Sequence, residues 1–349
     1  MSSIPKGSGF DRIPLVDIAA LRRSDANAKA AVAAEIGRAC REVGFLYVTG
    51  HGVRQALIDG VVAQARRLYA LPDEAKRALY IGRSSNHRGY VPPGEEVFSD
   101  DPTTTPDSKE GFDLARDLPA DDPDYVAGNR LLGPNVWPDL TGFREAVTAY
   151  YDAAMGLGTV LFRGFALALG LEEGYFDRFL TKPTSQLRLL HYPPRDAAAP
   201  GMGIGAHTDY ECFTILYPTE PGLQVMNADG RWIDAPPIPG AFVINIGDMM
   251  EAWTNGRFIA TAHRVVSPPV ERFSFPLFCA VDYGTLVEPL PACVSPDDPP
   301  RYAPRIAGEH LLAQTMRTFR YLRDQLAAGT LELPPSARED SPFGRKVAE

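Results

Sequence analysis

Cysteine is scarce in this chain, and what there is lies scattered. Four cysteines (Cys40, Cys212, Cys279, Cys293) are spread over 349 residues with no C-x-x-C pair. That spacing argues against a disulfide framework and for buried, reduced thiols. No run of about 18 apolar residues occurs, so no spanning helix is expected. Positive charge is in deficit: 35 Lys and Arg against 44 Asp and Glu leave a formal charge of -9. Binding to nucleic acid normally shows a basic footprint, so neither nucleic acid nor a membrane is an expected partner. The opening MSSIPKGSGFDRIPLVD has no charged segment followed by an apolar one. No secretory leader is read there, and a cytoplasmic location is expected. Repeats and low-complexity tracts are also missing.

What is present suits a folded chain with a sizeable core. Hydrophobic residues make up 45% and charged residues 23%, enough for one large domain or two ordinary ones, as a monomer or weak homo-oligomer. Thirty-two prolines and 31 glycines signal many turns and favour a β-rich body. Residues 13–18 read as an extended opening segment. Apolar spacing predicts a helix over 25–43, stopped at Gly44, then a strand over 45–48 and a second helix over 54–70. Residues 81–140 are punctuated by Gly, Pro, Asp, Ser and Thr. Within them Arg88 to Val97 is either a substrate loop or a solvated connection. A proline-free helix is predicted over 140–169. Short strands follow at 187–192, 213–217, 222–226, 232–234, 242–246, 258–263 and 273–281, with a hairpin at Asn227-Ala228-Asp229-Gly230. Such spacing points to a sandwich or barrel. A last helix is expected over 309–327, followed by a polar tail.

Gly205-Ala206-His207-Thr208-Asp209-Tyr210 carries the first chemical signal. Residues two apart on a strand project to one side, so His207 and Asp209 form a candidate ligand pair. His263, in Thr261-Ala262-His263-Arg264-Val265, is the third candidate. Two imidazoles and one carboxylate on one face of a metal are the donor set of non-haem Fe(II) oxygenases. H-x-D alone is frequent, and a lone strand histidine is more often a hydrogen-bonded core residue. Arg272 and Ser274 lie nine and eleven residues beyond His263. A planar guanidinium suits a bidentate carboxylate. Alone, Arg272 would read as a surface or interdomain salt bridge, but it opens a strand that otherwise reads as core and so needs an anionic partner. Tyr192 could share that carboxylate or be a core aromatic with a satisfied hydroxyl.

These motifs occur in the order found in a known family. The chain resembles the isopenicillin N synthase-like branch of the Fe(II)/2-oxoglutarate-dependent oxygenases over nearly its whole length. The N-terminal part matches through IPLVDI, ACREVGFLYVTGHGV, RGYVPPGEE and GPNVWP. The later part matches through LRLLHYPP, GIGAHTDYECFTIL, GLQVMNADGRWIDAPPIPGAFVINIGD, TAHRVV and RFSFPLF. The resemblance implies a mainly β fold with flanking helices: a double-stranded β-helix (jelly-roll) core behind an N-terminal α/β region. It implies boundaries at 1–140 for that region and 141–330 for the helix and catalytic core, with the dioxygenase domain at about 183–285 and a tail at 331–349. His207, Asp209 and His263 become iron ligands, and Arg272, Ser274 and Tyr192 the seat of 2-oxoglutarate. Fe(II), 2-oxoglutarate and O2 are the implied cofactor and cosubstrates, with hydroxylation or desaturation of a small molecule as the outcome.

Plant members often carry Asn-Tyr-Tyr-Pro where this chain has Leu190-His191-Tyr192-Pro193. The GYVPPGEEV stretch is similar to one in bacterial ethylene-forming enzymes, where an acidic residue helps hold a basic amino acid. Arg188, two strand steps from Leu190, is a candidate substrate residue, and Glu96, Tyr90, Phe213 and Trp253 are further candidates, with ordinary packing or salt bridging as the alternative for each. Three other functions fit parts of the pattern. One is an oxoglutarate-independent oxidase of the isopenicillin N synthase type, in which the R-x-S pair holds substrate. Another is ethylene formation. The third is a non-catalytic binding module, which would be expected to show a broken ligand set.

Overall fold

The computed structural model describes residues 9–97, 107–194, 202–266 and 269–335. Part of the punctuated 81–140 region and most of the expected tail therefore lie outside the described residues. Eight helices are named here in chain order: α1 Ala26–Glu42, α2 Gln55–Tyr69, α3 Asp73–Ala78, α4 Pro123–Val126, α5 Phe143–Ala168, α6 Asp248–Trp253, α7 Ala307–Thr318 and α8 Arg320–Ala327. Twelve strands matter for the site: β1 Leu15–Asp17, β2 Phe45–Thr49, β3 Gly89–Val91, β4 Glu110–Ala115, β5 Gln186–Tyr192, β6 Met202–His207, β7 Phe213–Pro218, β8 Leu223–Met226, β9 Trp232–Asp234, β10 Phe242–Ile246, β11 His263–Val266 and β12 Arg272–Cys279. They form an eight-stranded sheet, β1-β2-β10-β7-β12-β5-β4-β3, and a four-stranded sheet, β6-β11-β8-β9. This is the mainly β, helix-flanked architecture expected of a double-stranded β-helix.

Parity along the large sheet decides what each residue does. β12 reads as a continuous apolar run, yet Phe273, Phe275, Leu277 and Cys279 pack into the core under the helices. The alternate residues Arg272, Ser274, Pro276 and Phe278 line a cavity on the other side. β5 follows the same rule, with Leu187 and Leu189 outward and Arg188, Leu190 and Tyr192 inward. A strand covered on both faces loses its polar alternation, so parity is hidden in composition. The outward face is covered by α1, α2 and α5. There Phe213 meets Phe162 and Phe165 with ring centroids at 4.8 and 5.0 Å. Truncating such a ring costs about 3–5 kcal/mol through lost contacts and a residual cavity.

Local chemistry explains the helix ends that the periodicity located. Asp25 caps α1 by accepting from the backbone N–H groups of Asn27 and Ala28 at 2.9 and 3.0 Å. This satisfies two donors that the first turn leaves open. Gly44 ends it in the left-handed region at φ 72°. A Cβ there would sit 2.3 Å from the Ile259 carbonyl oxygen.

Two expected elements differ. Residues 258–262 are irregular, Phe258 and Ile259 buried and the next three half-buried, and strand pairing begins at His263. Their backbone donors take other acceptors: Ile259 bonds the Cys40 carbonyl and Ala260 the Glu251 carboxylate. The expected last helix is two helices, broken at Phe319 (φ -85°, ψ 128°). There Val97 N–H donates to the Thr318 carbonyl, and Arg320 N–H donates to the Glu95 carbonyl. The segment entering from β3 thus takes the bonds that a continuous helix would have used. The punctuated 81–140 region holds β3, β4 and α4, and β3 and β4 extend the large sheet. No helix among the described residues is long and apolar enough to cross a membrane.

His87 helps tie this region to the C-terminal helices. Its Nδ1 lies 2.8 Å from the Tyr321 hydroxyl, and its ring meets Phe319 edge-on at 4.4 Å. Burial first, then the nearby Arg88 and Arg188 guanidinia, push its pKa down to about 3. The unfolded chain takes up this proton near pH 6.5 and the folded one only near 3. The contribution is therefore complete above about pH 6.5 and is lost as pH falls, by up to about 1.4 kcal/mol per unit. Urea unfolding at pH 7 and pH 5 checks this. His87→Asn, which tolerates the local φ of 61°, is expected to flatten the dependence by about 2 kcal/mol over that interval.

Candidate metal centre and the pocket around it

His207 is the last residue of β6 and His263 the first of β11, and the two are paired in register. Asp209 lies beyond the strand, so the three converge through a turn rather than through the pleat expected from their spacing. Backbone bonds hold that turn: Asp248 N–H donates to the Asp209 carbonyl at 2.8 Å, and Gly247 N–H to that of Cys212 at 3.0 Å. A Cβ on Gly247 would fall 2.2 Å from the Glu211 carbonyl oxygen, so the Gly-Asp corner after β10 must begin with glycine. The ligand atoms of His207, Asp209 and His263 lie within 4.8 Å of one another.

The neighbours orient both imidazoles. His207 Nδ1 lies 2.8 Å from the Gly205 carbonyl and His263 Nδ1 3.2 Å from that of Thr261. Donation there turns both Nε2 atoms toward Asp209 Oδ1, each at 3.6 Å. Asp209 Oδ2 accepts instead from Thr214 Oγ1 and, at 2.7 Å, from Asn245 Nδ2. Burial opposes ionisation of Asp209, but the two imidazoles and the Thr214 hydroxyl outweigh it and hold the carboxyl well below its ordinary range. Burial, with His207 beside it, lowers His263 to about 4 and keeps it neutral. An acidic, two-imidazole donor set fits a divalent first-row metal. Asn245→Leu frees Oδ2 to swing, and Fe(II) affinity is expected to fall about 10–100-fold, as read by anaerobic titration.

Along the inward face of β12 and β5 stands an unsatisfied cation. Arg272 is fully buried, and its Nε donates to the Glu220 carbonyl at 3.0 Å. Its guanidinium carbon lies 4.6 Å from the Tyr192 ring centroid. Nη1 and Nη2 have no acceptor among the described residues. Burying such donors unpaired is costly, and a ligand carboxylate would satisfy both in parallel. Ser274 lies on the same face of β12 and lines the same cavity. The donors fit the distal carboxylate of 2-oxoglutarate.

The same cavity also holds a buried charge network. Arg188 donates through Nε to Asp113 Oδ1 at 2.8 Å and through Nη1 to Glu96 Oε1 at 2.6 Å. Lys109 binds the other Glu96 oxygen and, at 3.1 Å, Asp107 Oδ2. Arg188 and Glu96 thus line the pocket. The other three substrate candidates do not, and parity and packing explain why. Tyr90 faces outward on β3 and donates to Glu110 at 2.5 Å. Phe213 faces outward on β7, and Trp253, ending α6, packs with tilted rings against Phe176 and Phe179 at 5.0 and 5.2 Å.

Lys109 and Asp113 were missed because they come from a stretch that reads as loop. Leu311, Thr315 and Thr318 of α7, with Phe319, form a wall of the cavity that no motif announces. Thr214 and Asn245 do leave a trace, as single polar residues within apolar strands. Glu211 also lines the cavity; burial, with Asp209 nearby, pushes it up to about 8.

Known proteins carry the same architecture. Residues 13–140 match the model for the non-haem dioxygenase in morphine synthesis N-terminal region, and residues 183–281 match that of the 2OG-Fe(II) oxygenase superfamily. The 2-oxoglutarate-Fe(II) type oxidoreductase hxnY of Emericella nidulans is 35% identical over 301 residues, 83% of this chain and 86% of that protein. Kihadalactone A synthase of Citrus sinensis is 35% identical, over 86% of this chain and 90% of its own. A full-length Neurospora crassa protein, crystallised in complex with alpha-KG, superposes with a TM-score of 0.77 at 27% identity, covering 89% of this chain and 99% of that one. With two histidines and an aspartate gathered at the joined ends of β6 and β11, and kinship of this extent, the chain belongs to the 2OG-Fe(II) oxygenase superfamily and is a 2-oxoglutarate-dependent iron dioxygenase.

Proposed function

We propose that this enzyme oxidises a C–H bond of a small metabolite, by hydroxylation or desaturation, while 2-oxoglutarate is converted to succinate and CO2. The observation that carries the reading is the Arg272 guanidinium. It is buried in the same cavity as His207, Asp209 and His263, with both outer nitrogens lacking an acceptor among the described residues. When bound, Fe(II) and 2-oxoglutarate supply the means of activating O2. His207, Asp209 and His263 would hold the metal, and Arg272 the distal carboxylate. Ser274 and Tyr192 would add a hydroxyl donor and an aromatic face beside it. Asp209 and His263 are buried, and limiting water at the centre favours productive coupling over side reactions.

A small-molecule substrate is supported by the buried cavity and by relatives such as a kihadalactone A synthase. The net charge of -9 and the four buried cysteines support action in the cytoplasm, away from nucleic acid, as a monomer or weak homo-oligomer. The motif order supports placement in the isopenicillin N synthase-like branch. An oxoglutarate-independent oxidase is the rival, because an R-x-S pair can also seat a substrate carboxylate. Ethylene formation is a variant of the first reading, open to headspace analysis.

The deciding experiment is anaerobic titration with Fe(II) and 2-oxoglutarate, expected to raise a weak visible charge-transfer band. Under O2, succinate is expected to form in proportion to product. Absence of both with the true substrate would overturn the reading.

A further inference from the structure

We infer that Arg188 is a specificity-determining residue whose free Nη2 receives a neutral carbonyl-type oxygen of the substrate. This inference rests on the oxygenase reading above and names the class of molecule the site accepts.

Once Arg272 is assigned to 2-oxoglutarate, the cavity retains few unsatisfied polar atoms. Among the described pocket-lining residues, the remaining buried side-chain atoms without a partner are Arg188 Nη2 and Thr208 Oγ1. Arg188 is more than nine-tenths buried, and its other two nitrogens are fixed by Asp113 and Glu96. The guanidinium plane is therefore set from two sides, and Nη2 is a rigid donor. Phe319 packs against it, with the guanidinium carbon 5.6 Å from the ring centroid. Opposite Arg188, β4 carries Asp113 at the paired position and then Gly111. A Cβ on Gly111 would lie 3.5 Å from Nη2.

Charge decides which oxygen the donor takes. Arg188 and Lys109 already bond three acids, Glu96, Asp113 and Asp107. An anionic substrate group at Nη2 would add a further acidic oxygen beside them. A cationic group is disfavoured from the other side, because the open valence is an N–H and both Glu96 oxygens already accept from Arg188 and Lys109. A ketone, lactone or amide oxygen satisfies the donor at no charge cost. The surroundings match, since Leu190, Leu311 and Phe319 offer apolar walls for the rest of such a molecule.

The test uses four probes on one cyclohexyl skeleton, bearing a methyl ketone, a carboxamide, a carboxylate or an aminomethyl group. Binding is read by anaerobic calorimetry on enzyme loaded with Fe(II) and 2-oxoglutarate. The ketone and carboxamide are expected to bind about tenfold or more tightly than the carboxylate and amine. Arg188→Lys keeps the cation for Glu96 and Asp113 but removes the second arm. It is expected to erase that preference while 2-oxoglutarate affinity stays within about twofold. Preference for the carboxylate or amine, equal binding of all four, or binding of none would overturn the inference. So would loss of 2-oxoglutarate affinity in Arg188→Lys, which would assign Nη2 to the cosubstrate. The ranking on the unaltered enzyme stands even if the variant fails to fold. The charge-transfer band and probe-free succinate formation read the oxygenase assignment separately, so the two ideas can fail independently.

Discussion

Replacing His207 by alanine is expected to abolish stoichiometric Fe(II) binding and turnover while leaving the fold intact. The imidazole sits at the end of β6 and borders the cavity, and it spends its Nδ1 on a carbonyl two residues away. Its removal opens no void in the core beneath the sheet. Asp209 keeps its orientation through Thr214 and Asn245, so the variant is an intact pocket with two of three ligands. If a four-ligand structural metal site is worth about 10–16 kcal/mol, one ligand carries about 2.5–4 kcal/mol. That corresponds to a loss on the order of 10² to 10³ in affinity. The checks are iron content by metal analysis and the Fe(II)-dependent rise in Tm, which follows mass action in the unaltered enzyme and is expected to vanish in the variant. Unchanged iron content would refute the ligand assignment.

The sequence made the metal set legible because its chemistry requires particular residue types, and those types are rare here. Six histidines in 349 residues leave few combinations, and the motif order around His207, Asp209 and His263 reduces them further. Arg272 was legible for a different reason, as a charge opening a strand that otherwise reads as core. Periodicity located α1, α2, α5, β2 and the strands from β7 to β10, where an element's own residues determine its form. It failed where partners distant in sequence decide. Phe213 reads as a candidate for either pocket or core, because a strand buried on both faces has no polar alternation to reveal its parity. Residues 309–327 carry one helical pattern, yet Glu95 and Val97 take the backbone bonds at the break. The Arg188 network was half visible: Arg188 and Glu96 could be named, but Lys109 and Asp113 acquire meaning only once β4 is seen to pair with β5.

Arg272→Met is expected to separate cosubstrate binding from folding in opposite directions. In the ligand-free protein Arg272 is a fully buried cation whose two outer nitrogens lack an acceptor among the described residues. Substituting an apolar side chain of similar length removes that desolvation penalty. Such replacements of buried ions are commonly neutral or stabilising by about 1–4 kcal/mol. The lost bond to the Glu220 carbonyl offsets about 1 kcal/mol of this, so Tm without ligand is expected to stay level or rise. With 2-oxoglutarate the sign reverses. Its distal carboxylate would be buried against a thioether, and losing one partner of such a pair costs about 2–5 kcal/mol, roughly 30-fold to several thousand-fold in Kd or KM. Arg272→Lys is expected to recover part of this, restoring charge but not the two-pronged geometry. The stabilisation that 2-oxoglutarate gives the unaltered enzyme is therefore expected to disappear in Arg272→Met even though the variant itself folds at least as well. If KM for 2-oxoglutarate is unchanged and that for the oxidised substrate rises instead, the clamp belongs to the substrate, and the oxoglutarate-independent mechanism takes its place.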